Sequence, residues 1–378
     1  MLPLNSSTRE NNTQSLHRLL YLIGQLRAGG QEHQLYNLLK AIDRKRYHPA
    51  VAVWSFNEDH EYTPRIRELG VPIYPLGPTG NILGKLHALW RLVENLKPEV
   101  VHSYCFWTNF AAYWATLGKT ALAFGSVRGD FHQERKTFGP CFGRIDSYWP
   151  RNQIFNSFAA ADNARSTNSV FIPRQIYVVC NGLDLNRFQF SPLPDLSTAI
   201  IVGAGTLESY KRWDRLVVAA AELRRRNLNF QIRIAGDGPL RTALNRQAQS
   251  LGVTDRVEFI GHNINVPKLL SDSAFLAHTS DTEGCPNIVM EAMACGRAVV
   301  ATDVGDVRSL VDDGKTGFIV RSGDDTGFIE KLAIMITDQA LCRRMGESGR
   351  ARAERQFGLD RLVRGTLDAY RAAGWSDA

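Results

Sequence analysis

The chain repeats one unit along almost its whole length: a short apolar run, a loop that often contains glycine, and a segment with apolar residues at helical spacing. The first unit is the run RLLYLI at 18–23, then a glycine loop, then Leu35, Leu38 and Leu39 on one helical face. Strands that alternate with helices usually pair in parallel, and the helices cover both faces of the sheet. The repeat therefore predicts an α/β fold built from doubly wound sheets.

One segment interrupts the repeat and divides the chain. Residues 191–198 hold two prolines and no apolar period, which is typical of a linker. A chain of 378 residues is also too long for one ordinary core. We therefore predict two doubly wound Rossmann-like domains that face a cleft. The expected parts are a polar tail at 1–16, domains at 17–190 and 199–358, and a final helix within 359–378.

Composition and charge narrow the classes of function. The formal net charge of +7 favours an anionic partner, such as a nucleotide phosphate, a nucleic acid or an acidic membrane surface. The basic residues form no recognisable nucleic-acid-reading motif, so we expect no nucleic acid. The six cysteines are scattered without a CxxC pair, which favours reduced thiols, a cytoplasmic location and no metal site. No apolar run approaches the roughly 20 residues that span a bilayer.

The richest stretch for chemistry is DTEGCPNIVMEAMACGRAVVATDVGD at 281–306. It places Glu283 in a loop and Glu291 about one turn into the helix that follows. A carboxylate accepts hydrogen bonds from two adjacent hydroxyls, so Glu291 suits a ribose and Glu283 a sugar ring. The helix start offers backbone N–H groups and a positive dipole end, which suit a diphosphate. The candidates at this helix start are Gly284, Cys285, Pro286 and Asn287, although Pro286 has no N–H to give.

Other glycine-containing loops also follow predicted strands, where parallel sheets bind their ligands. Lys211 and Arg212 add cationic donors to one of them, and Lys211 can neutralise charge on a departing diphosphate. The remaining candidates are Gly205, Thr206, Gly236, Gly261, His262 and Asn263 in the second half and Gly29 and Gly30 in the first. Lys211 on a solvated basic face and Glu291 on an exposed helix side are the alternatives. Without a DxD pair, a metal at Asp281 and Glu283 is not favoured.

Five segments follow one another in the second half: GAGTLESYKR, AGDGPLR, FIGH, 281–306 and DDGKTGFIV. In this order they resemble the nucleotide-binding half of the retaining glycosyltransferases of family four, which have the GT-B fold. Glu283 and Glu291 match the E-x7-E motif of that family, and GQLRAGGQEHQ and VVCNGLDLNRF resemble its first-half segments. The resemblance implies transfer of a hexosyl or N-acetylhexosaminyl group from a nucleotide-diphosphate sugar, with retention and without a metal or other cofactor. It also implies that Lys211, Arg212 and Glu283 act in catalysis and that the final helix packs back on the first domain.

Two loops of the chain depart from the family pattern, one in each half. Many members have an arginine where this chain has Thr206, and a histidine where it has Arg128, near Asp130. His102 is another acceptor-side candidate, or else a structural histidine at a strand end. The implied acceptor is a glycan or a lipid-linked molecule. Peripheral contact with an anionic membrane is a further expectation. It rests on basic and aromatic residues of the first half, namely Trp107, Trp114, Arg128, Arg135, Lys136 and Trp149.

Two rival functions remain open at this point. One is an epimerase or hydrolase that uses a nucleotide sugar on the same scaffold. The other is a binding subunit that holds a nucleotide sugar without turning it over. The set of Lys211, Glu283 and Glu291 argues against the non-catalytic subunit, whereas analysis of the products from the donor alone would distinguish the epimerase or hydrolase.

Overall fold

A computed structural model describes residues 16–78, 81–195, 197–262 and 265–377. In this part of the chain the first sheet has seven strands, all paired in parallel, in the order β3-β2-β1-β4-β5-β6-β7. Its strands are β1 His17–Ile23, β2 Tyr47–Val53, β3 Ile73–Pro75, β4 Val100–Ser103, β5 Leu122–Val127, β6 Asn152–Phe155 and β7 Gln175–Val178.

The second sheet has six described strands in the order β10-β9-β8-β11-β12-β13, again all parallel. They are β8 Ala199–Ala204, β9 Phe230–Ala235, β10 Val257–Gly261, β11 Phe275–His278, β12 Ala298–Thr302 and β13 Gly317–Val320. In each sheet the chain begins at a central strand, β1 or β8, adds strands on one side, and then adds the remaining strands on the other side. The predicted fold class of two doubly wound Rossmann-like domains is confirmed.

Helices connect the strands and cover both sheets. Those in the first half are α1 Gly30–Ala41, α2 Tyr62–Glu68, α3 Ile82–Leu96, α4 Asn109–Thr116, α5 Phe131–Thr137, α6 Gly139–Tyr148 and α7 Phe158–Ser166. Those in the second half are α8 Trp213–Arg225, α9 Arg241–Ser250, α10 Val266–Ser271, α11 Asn287–Ala294, α12 Val307–Leu310, α13 Asp325–Thr337, α14 Gln339–Gln356 and α15 Leu359–Ala372. None of these helices has the length and apolar character needed to cross a membrane, within the described residues.

Burial on both faces explains the nearly continuous apolar runs. Every residue of β1 from Leu19 to Ile23 is at most 2% exposed, because helices cover the sheet on each side. The same holds in β12, where Ala298 to Ala301 are fully buried. Such strands carry no alternation of polar and apolar residues, so their length and their flanking turns identify them.

The last helix, α15, belongs structurally to the first domain although it follows the second. Leu362 and Tyr370 on this helix are buried in the core formed by β1, β2 and α1. The Tyr370 hydroxyl lies 2.7 Å from Nδ1 of His102 at the end of β4. The chain therefore crosses between the domains twice, which ties their relative position to the packing of α15.

Candidate active site

A cavity of about 890 Å³ lies between the two domains. Several of its lining residues come directly after a strand: Arg128 follows β5, Asn156 follows β6, Gly205 follows β8 and His262 follows β10. Because the carboxyl ends of parallel strands share one edge, these loops converge there from each sheet. The predicted site residues that line the cavity are Gly29, Gly30, Gly205, Lys211, His262, Glu283, Gly284, Cys285, Pro286, Asn287, Glu291 and Arg128.

The starts of α1 and α11 meet across the domain boundary. A Cβ atom on Gly30 would lie 3.4 Å from the side-chain nitrogen of Asn287. Oδ1 of Asn287 accepts hydrogen bonds from Asn181 at 2.8 Å and from Gln34 at 3.2 Å. Two helix N-termini thus face one cavity, and their dipoles and free backbone N–H groups favour an anion between them.

Glycine is required where the second-domain loop meets the first domain. A Cβ on Gly284 would lie 2.8 Å from the carbonyl oxygen of Arg128 and 2.9 Å from Oδ1 of Asn156. Behind the same loop, Gly305 has φ of +51° and packs against the carbonyl oxygens of Glu283 and Gly284. Both contacts need the absence of a side chain, so the loop 283–285 is held between two backbones.

Glu283 and Lys211 form an ion pair inside the cavity. The Lys211 ammonium donates to Oε1 of Glu283 at 2.6 Å, and the two side chains are 17% and 12% exposed. Ser280 donates to the same oxygen at 2.7 Å, and Nε2 of His278 lies 3.2 Å from it. Burial opposes ionisation of Glu283, but the His278 hydrogen bond and the Lys211 charge prevail and lower its pKa to about 2. Glu283 is therefore a carboxylate at neutral pH.

Local backbone geometry presents Lys211 to the cavity. Residues Ser209–Lys211 form a 3₁₀ turn, and Arg212 then takes a left-handed conformation with φ of +53°. A Cβ on Gly205 would lie 3.4 Å from Cε of Lys211, so the lysine stem runs along the glycine loop after β8. A larger residue at Gly205 would also need a left-handed backbone, since its φ is +156°.

Glu291 lines the same cavity from α11, one helical turn beyond Asn287. Burial raises its pKa to about 7, although the positive charge of Arg187 opposes the shift. Glu291 is thus poised between its charged and neutral forms near pH 7. Hydroxyl groups that donate to it would favour the carboxylate.

Asp306 connects the two domains next to the loop 283–285. Its carboxylate accepts hydrogen bonds from the backbone N–H groups of Phe158 and Ala159, at 2.8 and 2.9 Å, at the start of α7. Its own backbone N–H donates to the carbonyl oxygen of Gly284 at 2.9 Å. Asp306 therefore caps a first-domain helix while it holds the loop that carries Glu283.

Four predicted residues of the second domain lie outside the cavity lining. Arg212 was expected to act in catalysis, but its guanidinium is held by Asp214 and Asp281 at 3.0 and 2.8 Å. Thr206 lies 3.3 Å from the Tyr210 hydroxyl on the exposed surface. Gly236 and Gly261 pair with each other, through a 2.7 Å hydrogen bond from the Gly236 N–H to the Gly261 carbonyl. Asn263 lies outside the described residues.

On the first-domain side, only one of the three acceptor-side candidates lines the cavity. That residue is Arg128. Asp130 instead caps α5 by accepting from the backbone N–H of Gln133 at 2.9 Å. His102 is 1% exposed, and both ring nitrogens are occupied, by Tyr370 at 2.7 Å and by Ser126 at 2.9 Å. The structure corrects the expectation for these two residues, because hydrogen bonds within the first domain hold both side chains.

The sequence analysis missed several residues of the site, and His33, His278 and Asp306 are three of them. His33 lines the cavity, and its Nε2 is buried without a hydrogen-bond partner. His278, at the end of β11, contacts Glu283, and Asp306 bridges the domains. The available signal was their position relative to the carboxyl ends of strands, because His278 is the last residue of β11 and Asp306 lies in the loop after β12. Among the described residues, no group of three or more His, Cys, Asp or Glu side chains is arranged to hold a metal ion.

Comparison with known proteins agrees with the two-domain architecture. Residues 186–352 match the family model "Glycosyl transferases group 1", and residues 28–187 match "Glycosyltransferase Family 4". The chain has the GT-B glycosyltransferase fold. Together the two matches support a glycosyltransferase of the family-four type.

Solved structures agree on this fold over nearly the whole chain. Anabaena HepE in complex with UDP superimposes with a TM-score of 0.81 at 19% identity, covering 94% of this chain and 100% of HepE. Sucrose-phosphate synthase from Thermosynechococcus elongatus gives a TM-score of 0.78 at 17% identity, covering 94% and 99%. At these identities the GT-B likeness concerns the fold alone.

Curated relatives are similar over about half of their length. N-acetyl-alpha-D-glucosaminyl L-malate synthase of Bacillus anthracis is 30% identical over 167 residues, which is 44% of each chain. D-inositol 3-phosphate glycosyltransferase of Nocardia farcinica is 31% identical over 218 residues, which is 53% of this chain and 48% of the relative. Both relatives are thus matched over less than two thirds of their length.

Proposed function

We propose that this GT-B protein transfers a hexosyl or N-acetylhexosaminyl group from a nucleotide-diphosphate sugar to a hydroxyl of a glycan or lipid-linked acceptor, with retention at the anomeric carbon. The observation that carries the proposal is one cavity where the Lys211–Glu283 pair, Glu291 and two helix N-termini converge. The HepE complexes with UDP and UDP-glucose support this class of donor, and the names of the curated relatives support glycosyl transfer.

In the proposed reaction each group of the cavity has one task. The N-termini of α1 and α11 receive the diphosphate, and Lys211 neutralises the charge that develops on it as the bond to the sugar breaks. Glu283, held as a carboxylate, accepts hydrogen bonds from the sugar hydroxyls, and Glu291 accepts those of the ribose. The acceptor oxygen bonds to the anomeric carbon on the face that the diphosphate leaves, and its proton passes to a diphosphate oxygen. No protein nucleophile takes part.

Binding and product analysis test the proposal directly. Uridine or guanosine diphosphate sugars should raise the melting temperature, because a ligand of the folded state stabilises it by mass action. Incubation of the bound donor with candidate glycan and lipid-linked acceptors should give a product with the donor's anomeric configuration, read by NMR. Conversion of the donor without any acceptor would favour the epimerase or hydrolase, and binding without turnover a non-catalytic subunit.

The proposed reaction needs no metal. Lys211 and two helix N-termini can supply the positive charge that a divalent cation would otherwise bring to a leaving diphosphate. Activity should therefore persist after treatment with EDTA. Loss of activity that added Mg²⁺ or Mn²⁺ restores would overturn this part of the proposal.

Peripheral contact with an anionic membrane would suit a lipid-linked acceptor, and one surface of the first domain supports it. Phe142 is 66% exposed on α6, one turn from the half-exposed Ile145. Beside them lies a shallow basic concavity lined by His132, Arg135, Lys136 and Arg144. Apolar side chains next to cations match the boundary between acyl chains and acidic headgroups.

Co-sedimentation with liposomes tests this contact. We expect binding to vesicles that contain phosphatidylglycerol, loss of binding at high salt, and loss in a Phe142→Ser, Arg135→Gln variant. The exposed Val170→Ser change serves as a control. If the protein binds no vesicle composition, or if the double variant binds as well as the wild type, this surface does not contact the membrane.

A further inference from the structure

The first-domain wall of the cavity carries a buried cation that nothing in the described chain neutralises. Arg128 is 9% exposed, and its guanidinium lies 3.9 Å from the centre of the Tyr104 ring. Its Nε and Nη1 atoms are buried without hydrogen-bond partners. The described residues give Arg128 no ion pair, whereas Lys211 on the opposite wall is paired with Glu283. An unpaired buried charge is unfavourable, so the binding of an anion next to Arg128 would be strongly favoured.

Other groups of this wall add to the positive potential. Arg65 and Arg187 line the cavity with Arg128, and Arg65 is paired only with Glu61 at its edge, at 2.8 Å. Burial, and then the positive charges of Arg187 and Arg65, lower the pKa of His33 to about 4, although the charge of Asp184 opposes the shift. His33 is therefore neutral at pH 7, and its unpartnered Nε2 adds a polar contact.

Two buried carboxyl groups of the first domain do not cancel the charge of Arg128. Glu134 accepts from the backbone N–H groups of Gly129 and Arg128, and burial raises its pKa to about 7. Glu32, on α1, is 8% exposed, and burial likewise raises its pKa to about 7. Each is about half protonated at pH 7. The net charge of the first-domain residues in the cavity lining is positive, and the charged ones are Arg65, Arg128, Arg187 and Glu61.

We propose that this wall binds an anionic group of the acceptor, a carboxylate or a phosphate, with Arg128 as its main ligand. The proposal rests on the proposed transferase function, because it names the class of acceptor for the same cavity. The donor groups Lys211, Glu283 and Glu291 lie on the second domain, whereas Arg128, Arg65 and His33 lie on the first. A planar guanidinium donates two parallel hydrogen bonds to such an anion, which a neutral glycan hydroxyl does not match.

Titration with small anions tests the site without knowledge of the acceptor. Inorganic phosphate and malonate are titrated separately by calorimetry, with and without saturating UDP or GDP. We expect one of these anions to bind while the nucleotide occupies the donor site. Arg128→Gln should weaken that binding about tenfold or more and leave nucleotide affinity unchanged, while Arg128→Lys should keep part of it because a point charge remains.

A matched control separates loss of the site from loss of the fold. Arg151 also lies over an aromatic ring, 4.0 Å from the centre of Tyr148, but outside the cavity lining. Arg151→Gln should bind phosphate or malonate as the wild type does. Circular dichroism and nucleotide binding identify any Arg128 variant that fails to fold, and Arg128→Lys then carries the comparison.

Any one of three results would overturn the proposal. The nucleotide could displace both anions, which would place them at the site of the donor diphosphate. Alternatively, Arg128→Gln could leave anion binding unchanged, or neither anion could bind. Failure of the proposed function looks different. In that case neither UDP nor GDP binds, whereas an anion still binds in a manner that depends on Arg128.

Discussion

The Lys211 ammonium lies 2.6 Å from Oε1 of Glu283, and it joins the loop after β8 to the loop after β11. The cation predicted for the diphosphate and the carboxylate predicted for the sugar are therefore each held by the other. This arrangement fixes the two side chains relative to each other, which favours a preorganised site.

The stability of this pair can be measured by a double-mutant cycle. Lys211→Met leaves the largely buried Glu283 carboxylate with only its contacts to Ser280 and His278, and should destabilise the protein by about 2–4 kcal/mol. Adding Glu283→Gln should restore part of that loss, with a coupling of about 1–3 kcal/mol. Urea unfolding at pH 7 gives the free energies. Strictly additive effects would show that the two charges do not interact.

Lys211→Ala should lower the maximal rate more than it lowers donor affinity. The reason is that the charge on the diphosphate grows as the bond to the sugar breaks, so the ammonium stabilises the transition state more than the bound donor. We expect a loss of about 100- to 1000-fold in kcat. Steady-state kinetics provide the split, with Lys268→Ala, an exposed lysine on α10, as the control. A change confined to donor affinity would make Lys211 a ground-state binder.

Glu291→Gln should stabilise the ligand-free protein at alkaline pH. Burial raises the pKa of Glu291 to about 7 in the folded state from an ordinary 4.5, so the wild type is disfavoured as pH rises through this range. At pH 8 the variant should be more stable by about 2–3 kcal/mol, and at pH 4 the difference should vanish. Denaturant unfolding at several pH values measures this. Glu347→Gln, on the exposed face of α14, should show no such dependence.

The same variant should bind the nucleotide about tenfold or more weakly, because the ribose hydroxyls lose a charged acceptor. Binding by the wild type should strengthen from pH 6 to pH 8 as Glu291 ionises, and calorimetry should find this dependence flattened in the variant. Donor kinetics that Glu291→Gln leaves unchanged would contradict the assignment of Glu291 to the ribose.

Asp306→Ala should loosen the contact between the domains. The change removes two hydrogen bonds to the start of α7 and the carboxylate that faces its dipole, worth about 1–2 kcal/mol together. We expect nucleotide affinity within about twofold of the wild type but turnover reduced about tenfold, because the acceptor and donor walls lose their alignment. Asp306→Asn keeps one acceptor oxygen and should recover part of the rate.

Small-angle scattering provides a readout that a local packing defect would not move. The radius of gyration of Asp306→Ala should exceed that of the wild type, and Asp303→Ala, in the same loop but paired with Arg308 of the same domain, should not change it. Equal radii together with wild-type turnover would show that Asp306 has no part in aligning the domains.

Local sequence patterns predicted the fold of this protein and part of its candidate site. The alternation of apolar runs and helical segments determined the two doubly wound sheets, since buried parallel strands must be apolar on both faces. The loops after the strands, and the spacing of Glu283 and Glu291, pointed to about half of the residues that line the cavity. Such features depend on neighbours in the chain, which is why they are visible without the structure.

Tertiary structure decided what distant residues do to one another. Arg212 resembles Lys211 in sequence, but Asp281, 69 residues away, holds it outside the cavity. His102 and Asp130 resemble site residues, but Tyr370 and Asn163 occupy their polar atoms. Burial without a partner, the property that singles out Arg128, depends on every element packed around the side chain. No spacing along the chain encodes it.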